Sequence, residues 1–162
     1  MLKPNYLSPV ETRFTIKRLP NVSFFTQSVS LPGLSIGETN IPTPFKNIHL
    51  HGDKLEYDML NIQVAMDENM NSFIEVKNWI VGLSKPNNFE QYANLSAGDG
   101  LYSDASLIIL NSSKNPNIEV SFKDLFPMNL GEIAFDTRET DVPVPVCTMS
   151  FRFSEYDIKL SS

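Results

Sequence analysis

The chain has 162 residues, of which 41% are hydrophobic and 20% charged, and its formal net charge is −6. That size fits one domain, residues 1–162, with a single buried core, and the composition excludes global disorder. The acidic balance excludes a surface built to grip nucleic acid, which needs clustered Lys and Arg to displace counterions.

The first residues, MLKPNYLSPVETRF, lack the basic-then-apolar pattern of a secretory signal. The longest apolar run, Leu107 to Leu110, is too short to span a bilayer. The expectation is a soluble protein made in the cytoplasm, with no membrane partner. Residues 1–10 contain two prolines and little periodicity and read as an N-terminal arm. Thr12, Phe14 and Ile16 alternate as a first strand over 11–17. Residues 22–31 read as a second strand, with apolar side chains on both faces near Phe24 and Phe25. Pro32 and Gly33 end it.

Residues 34–41 alternate weakly, and Pro42-Thr43-Pro44 reads as an extended connection. Two arms, 45–51 and 54–66, then flank a tight turn at His51-Gly52-Asp53. In the second arm Leu55, Tyr57 and Met59 are odd-numbered, whereas Leu60, Ile62, Val64 and Met66 are even. Strand side chains alternate with period two, so this phase change implies a bulge or bend near Leu60-Asn61. Asp67 to Ser72 supply acidic and capping residues before a helix over 71–83. Phe73, Val76, Ile80 and Leu83 fall at helical spacing with Trp79 beside them, and Lys85-Pro86 stops the helix. Trp79 reads as a core anchor.

Residues 86–103, rich in Asn, Gly and Ser, read as a long surface loop. A short strand at 105–110, a turn at 111–117 and a returning strand through Ile118, Val120 and Phe122 follow. Residues 126–131 read as a bend, and 132–136 as a strand partnering a last one over 147–158. There Cys147, Met149, Phe151 and Phe153 share one face, and Thr148, Ser150 and Arg152 the other.

Catalytic chemistry has little to stand on. His49 and His51, two apart on a strand, face one side, but zinc needs three or four ligands and nothing nearby completes the set. No nucleophile elbow, phosphate-binding loop or Cys-x-x-Cys occurs. Cys147, the single cysteine, reads as a small buried apolar residue. No cofactor and no metal is expected, and the chain does not read as an enzyme.

The order of features resembles a known family. A strand, a Leu-Pro-Gly break, a proline-bearing long hairpin and an acidic turn into a Trp-bearing helix resemble the tail tube proteins of contractile-tailed, T4-like bacteriophages. The closing segments DLFPMNLGEIAFD (124–136) and TMSFRFSEY (148–156) strengthen the likeness, which covers residues 14–156. Type VI secretion tube proteins are similar in fold.

The resemblance implies a mainly β fold: two packed antiparallel sheets, as a sandwich or barrel, with one flanking α-helix and a long protruding hairpin. It also implies homohexameric rings that stack into a tube for genome ejection, with viral DNA passing through the lumen unbound. An acidic, Ser/Thr/Asn-rich lumen is expected, lined by the polar sides of strands near 22–30, 54–66 and 148–153. The hairpin, by this pattern, reaches a neighbouring subunit through Lys46, Asn47, Ile48, His49, Leu50, His51, Gly52, Asp53, Lys54, Leu55 and Tyr57. The helix, with Phe73, Val76, Trp79, Ile80 and Leu83, sits on the outer surface near the tail sheath protein. Baseplate and neck proteins are further partners, and the virion tail is the implied location. A baseplate tube initiator or a neck-proximal ring protein would share this fold.

Overall fold

The computed structural model describes residues 6–85, 89–98 and 100–160. The order is β1 (Thr12–Ile16), α1 (Pro20–Phe25), β2 (Thr26–Ser30), β3 (Leu34–Pro42), β4 (Asn47–Tyr57) and β5 (Leu60–Ala65). Then come α2 (Asn71–Ser84), α3 (Phe89–Ala97), β6 (Ser103–Leu110), β7 (Pro116–Leu130), β8 (Val146–Arg152) and β9 (Glu155–Leu160). The fold is mainly β, as expected. A first antiparallel sheet holds β1, β6, β7 and β9, and a second holds β7, β8, β5 and β2. They share β7, whose residues 116–125 belong to the first and 126–130 to the second. The strand turns this corner at Asp124, which adopts φ 54° and accepts a hydrogen bond from Ser154 Oγ at 3.1 Å. The hairpin β3–β4 pairs with neither sheet.

Between the sheets lie Ile16, Leu60, Ile62, Val120, Phe122, Leu125, Met149 and Phe151, all at most 1% exposed. Cys147 is also fully buried among them. Helix α2 closes the core, with Val76 and Trp79 buried and the Trp79 ring 6.5 Å from that of Phe151. Its start is fixed by Asp67, whose carboxylate accepts from the Asn71 backbone N–H and side-chain amide, both at 2.9 Å. An acid there satisfies a free helix donor and meets the positive end of the dipole.

Several sequence expectations are corrected. Residues 22–31 are not one strand: 20–25 form α1. Pro20 suits a first helical turn. Ser23 Oγ donates to the Leu19 carbonyl at 2.8 Å and accepts from the Ile16 N–H at 2.9 Å, and Thr26 Oγ1 donates to the Val22 carbonyl at 2.6 Å. The two-sided apolar pattern is thus helical, with Val22 fully buried and Phe24 82% exposed.

His51-Gly52-Asp53 is no turn either; β4 continues through it, with a register shift opposite Gly37. The chain reverses at Thr43–Lys46, where the Thr43 N–H donates to the Lys46 carbonyl at 3.1 Å and Thr43 Oγ1 accepts from the Lys46 N–H at 3.2 Å. The hairpin therefore pairs 34–42 with 47–57, one arm earlier than expected. The phase change at Leu60 marks a passage between sheets at Asp58-Met59, and β5 itself carries no bulge towards β8.

Residues 89–97 form a helix inside the expected loop, docked through Leu95. Residues 126–130 continue β7 instead of bending, and 132–136 form no strand. The expected last strand is two, β8 and β9, divided at Phe153-Ser154 and placed in different sheets. Pro86, expected to stop α2, and residues 1–5 of the expected arm lie outside the described residues.

Candidate assembly surfaces

The hairpin is rooted firmly and then left bare. At its root Tyr57 packs edge-on against Phe153 and Tyr156, each 5.4 Å away, and Phe122 joins them at 5.2 Å from Phe153. Arg152 Nη1 donates to the Tyr57 carbonyl at 3.0 Å, the Asp58 N–H to the Gly33 carbonyl at 3.0 Å, and Tyr156 Oη to the Pro32 carbonyl at 3.3 Å. Both strands of the hairpin are thus held where they leave the body. Beyond that root, β4 has 11 residues, a length of about 35 Å at the usual strand rise.

Apolar cross-strand pairs run along it. They are Leu34–Tyr57 and Ile36–Leu55 near the root and Ile41–Ile48 near the tip, where Leu50 stands opposite Thr39. A register shift between Ile36 and Glu38 separates the two sets. Here a Cβ on Gly52 would lie 2.8 Å from the Gly37 carbonyl oxygen, so Gly52 serves a close backbone approach. Leu34, Ile36, Leu50 and Leu55 are each about half exposed (55%, 59%, 47% and 50%). Large apolar side chains of both hairpin strands are therefore open to solvent. The polar pairs carry Glu38, His49 and His51; His49 Nδ1 lies 3.7 Å from Glu38 Oε2, with both side chains well exposed. Among the described residues no group of three or more His, Cys, Asp or Glu is placed to hold a metal ion.

The two sheets present different outer faces. On the second, Ser30, Asn61, Ser150 and Asn129 align across four strands, with Ser28, Gln63 and Thr148 aligned beside them. Ser150 Oγ donates to Asn61 Oδ1 at 2.7 Å and Ser28 Oγ to Gln63 Oε1 at 3.3 Å. The first sheet aligns Arg13, Glu119 and Lys159, and carries the ion pairs Lys17–Asp104 and Lys123–Glu155 at 3.1 and 2.6 Å.

No protein-family profile matches the sequence. Over 137 residues it is 28% identical to the tail tube terminator protein of Enterobacteria phage T4, covering 82% of this chain and 76% of that one. Its fold matches a chain in the tube-terminating cap of the anti-feeding prophage, with TM-score 0.65 at 12% identity over 99% and 95% of the two chains. A chain in the baseplate of the same prophage matches with TM-score 0.62 at 12% identity over 98% and 97%. The chain is thus similar in sequence to a tail tube terminator and in fold to chains of that prophage's cap and baseplate. A type six secretion system protein shares this tube-protein fold at TM-score 0.55 and 12% identity, over 91% and 81%.

Within the tube-protein fold the residues named from the sequence separate into two kinds. Those of the hairpin, from Lys46 to Tyr57, lie in one strand and its turn, exposed except for the half-buried Gly52 and Tyr57. Those of α2 divide: Val76 and Trp79 are buried, whereas Phe73, Ile80 and Leu83 are half-buried against the core. Trp79 Nε1 donates to the Leu101 carbonyl at 3.1 Å, and the Arg18 guanidinium covers its ring at 5.3 Å. Sequence reading missed β3, which supplies half of the hairpin's apolar pairs, because Gly37 breaks its alternation. It also missed Tyr156 and Arg152 at the root, whose partners lie far away in the chain. Burial holds the Cys147 thiol above its ordinary pKa, opposed in part by the Gly131 backbone, and the thiol donates to the Gly131 carbonyl at 3.2 Å. A protonated, enclosed thiol is a packing group and not a nucleophile.

Proposed function

We propose that this chain is a structural protein of a contractile tail, and that its rings end the tail tube. The observation that carries this is the sequence likeness to a tail tube terminator across most of both chains. A terminator is favoured over a repeating tube subunit, because the sequence relative bears that role and a tube-terminating cap gives the higher structural match. The likeness to a baseplate chain keeps a tube initiator as the second reading.

The second sheet supports ring formation. Its free edges are β2 on one side and residues 126–130 of β7 on the other. Unpaired edges invite strand pairing, and a ring removes them by joining β2 of one copy to β7 of the next. Six copies are proposed, as the neighbouring baseplate structure is six-fold symmetrised. The hairpin then reaches the adjacent tube ring through Ile36, Leu50 and Leu55, and α2 faces outward towards the sheath. Neck proteins adjoin the other end, viral DNA passes through the channel without specific binding, and the location is the virion tail.

Two measurements test this. Negative-stain images of the purified protein are expected to show single rings with a channel, and quantitative mass spectrometry of virions about six copies. Monomers at every concentration would refute the ring. Many tens of copies per virion would return the chain to the role of a repeating tube subunit.

A further inference from the structure

The contrast between the two outer sheet faces carries a sharper statement about the channel. The second sheet is built from TQSVS, LNIQVA, FPMNL and VCTMSFR, and in these segments the single charged residue is Arg152. The strand segments of the first sheet include Arg13, Asp104, Glu119, Lys123, Glu155, Asp157 and Lys159. Exposed sheet faces of a soluble acidic protein ordinarily carry charges, as the first one does. A face of this breadth with hydroxyls and amides in their place has another task.

We infer that the outer face of the second sheet is the channel wall, and that this wall is electrically neutral rather than acidic. The inference rests on the ring reading above. Its occupant is double-stranded nucleic acid, a dense polyanion. Lysines on the wall would bind phosphates and release counterions, holding the polymer in a salt-dependent way. Carboxylates would repel it and oppose its entry into the tube. Side chains such as Asn61, Gln63, Thr148 and Ser150 do neither. The exposed Asn61, Gln63 and Thr148 keep a layer of exchangeable water, while the buried Ser150 bonds Asn61 and Ser28 bonds Gln63 between neighbouring strands. Arg152 stands at the hairpin end of this face, tied to the Tyr57 carbonyl, in a cleft also lined by Glu56 and Asp58. It leaves a single formal positive charge at that end of the face.

Because Cys147 is buried, single added cysteines report position cleanly. Rings of Gln63→Cys, of Thr148→Cys and of Thr15→Cys, the last on the outer face of the first sheet, are labelled with biotin-maleimide and then offered streptavidin. Biotin is expected on all three, and streptavidin only on Thr15→Cys rings, since a protein-sized probe cannot reach a channel wall. Streptavidin on the Gln63 and Thr148 rings would overturn the assignment while leaving the rings themselves intact. Absence of rings in the unmodified protein would instead sink the ring reading, and this inference with it. For neutrality, a short DNA duplex is titrated at about 50 and 200 mM salt. Unmodified rings are expected to show no retention, and Gln63→Lys rings a gain of at least tenfold at low salt that is lost at high salt. Tight retention by unmodified rings would refute a neutral wall.

Discussion

Replacing Trp79 by Phe tests how α2 is fastened to the sheets. The indole is 2% exposed, donates to the Leu101 carbonyl at 3.1 Å, packs near Phe151 and lies beneath Arg18. Phenylalanine keeps an aromatic ring but cannot donate, which costs about 1 kcal/mol for the lost bond. A weaker ring face under the guanidinium costs about 0.5 kcal/mol. The space left by the smaller ring adds about 1 kcal/mol, given partial collapse. Together the loss is about 2–3 kcal/mol. With a urea slope of about 2 kcal/mol/M, the midpoint should fall by about 1–1.5 M. Far-UV circular dichroism is the suitable probe, because Trp79 is the only tryptophan and its fluorescence disappears with the substitution. A midpoint shift below about 0.25 M, equivalent to about 0.5 kcal/mol, would show that the indole is not an anchor and that the packing of α2 is misread.

Three further outcomes are expected. Gly131→Ala would bring a Cβ within 2.6 Å of the Thr148 carbonyl oxygen, a backbone atom of β8, so a loss of about 1–3 kcal/mol should appear in urea unfolding. Ile36→Asn combined with Leu55→Asn alters a half-exposed pair of the hairpin. The urea midpoint should stay within about 0.3 M while ring contacts in sedimentation or electron microscopy are lost. Cys147 should resist thiol reagents in the native state and react once unfolded. Its folded pKa is raised above the ordinary 9.0, so the unfolded chain loses that proton first as pH rises. Stability contributed by the thiol is therefore complete below about pH 9 and declines above it, and Cys147→Ala should flatten that decline in alkaline unfolding curves.

The sequence by itself determined the elements whose burial pattern is written in their own residues. Helix α2 follows from Phe73, Val76, Trp79 and Ile80 at helical spacing. Strands β1, β5 and β8 follow from strict alternation, because each has one face in the core and one outside. The resemblance to tube proteins was also legible, since it depends on the order of such elements.

Tertiary structure decided the rest, at places where a residue answers to a distant partner. Phe24 and Phe25 favour a strand locally, yet the hydroxyls of Ser23 and Thr26 and the amide of Asn21, bonded to Glu75 at 2.6 Å, settle that segment as a helix. Gly52 looks like turn chemistry, but it is there because the Gly37 backbone passes against it. Leu34, Ile36 and Leu55 look like core residues and stand in the open, since the hairpin joins neither sheet. Even the uncharged row of the second sheet is invisible along the chain. Its four segments are scattered from Thr26 to Arg152, and only strand pairing sets Ser30, Asn61, Ser150 and Asn129 in one row.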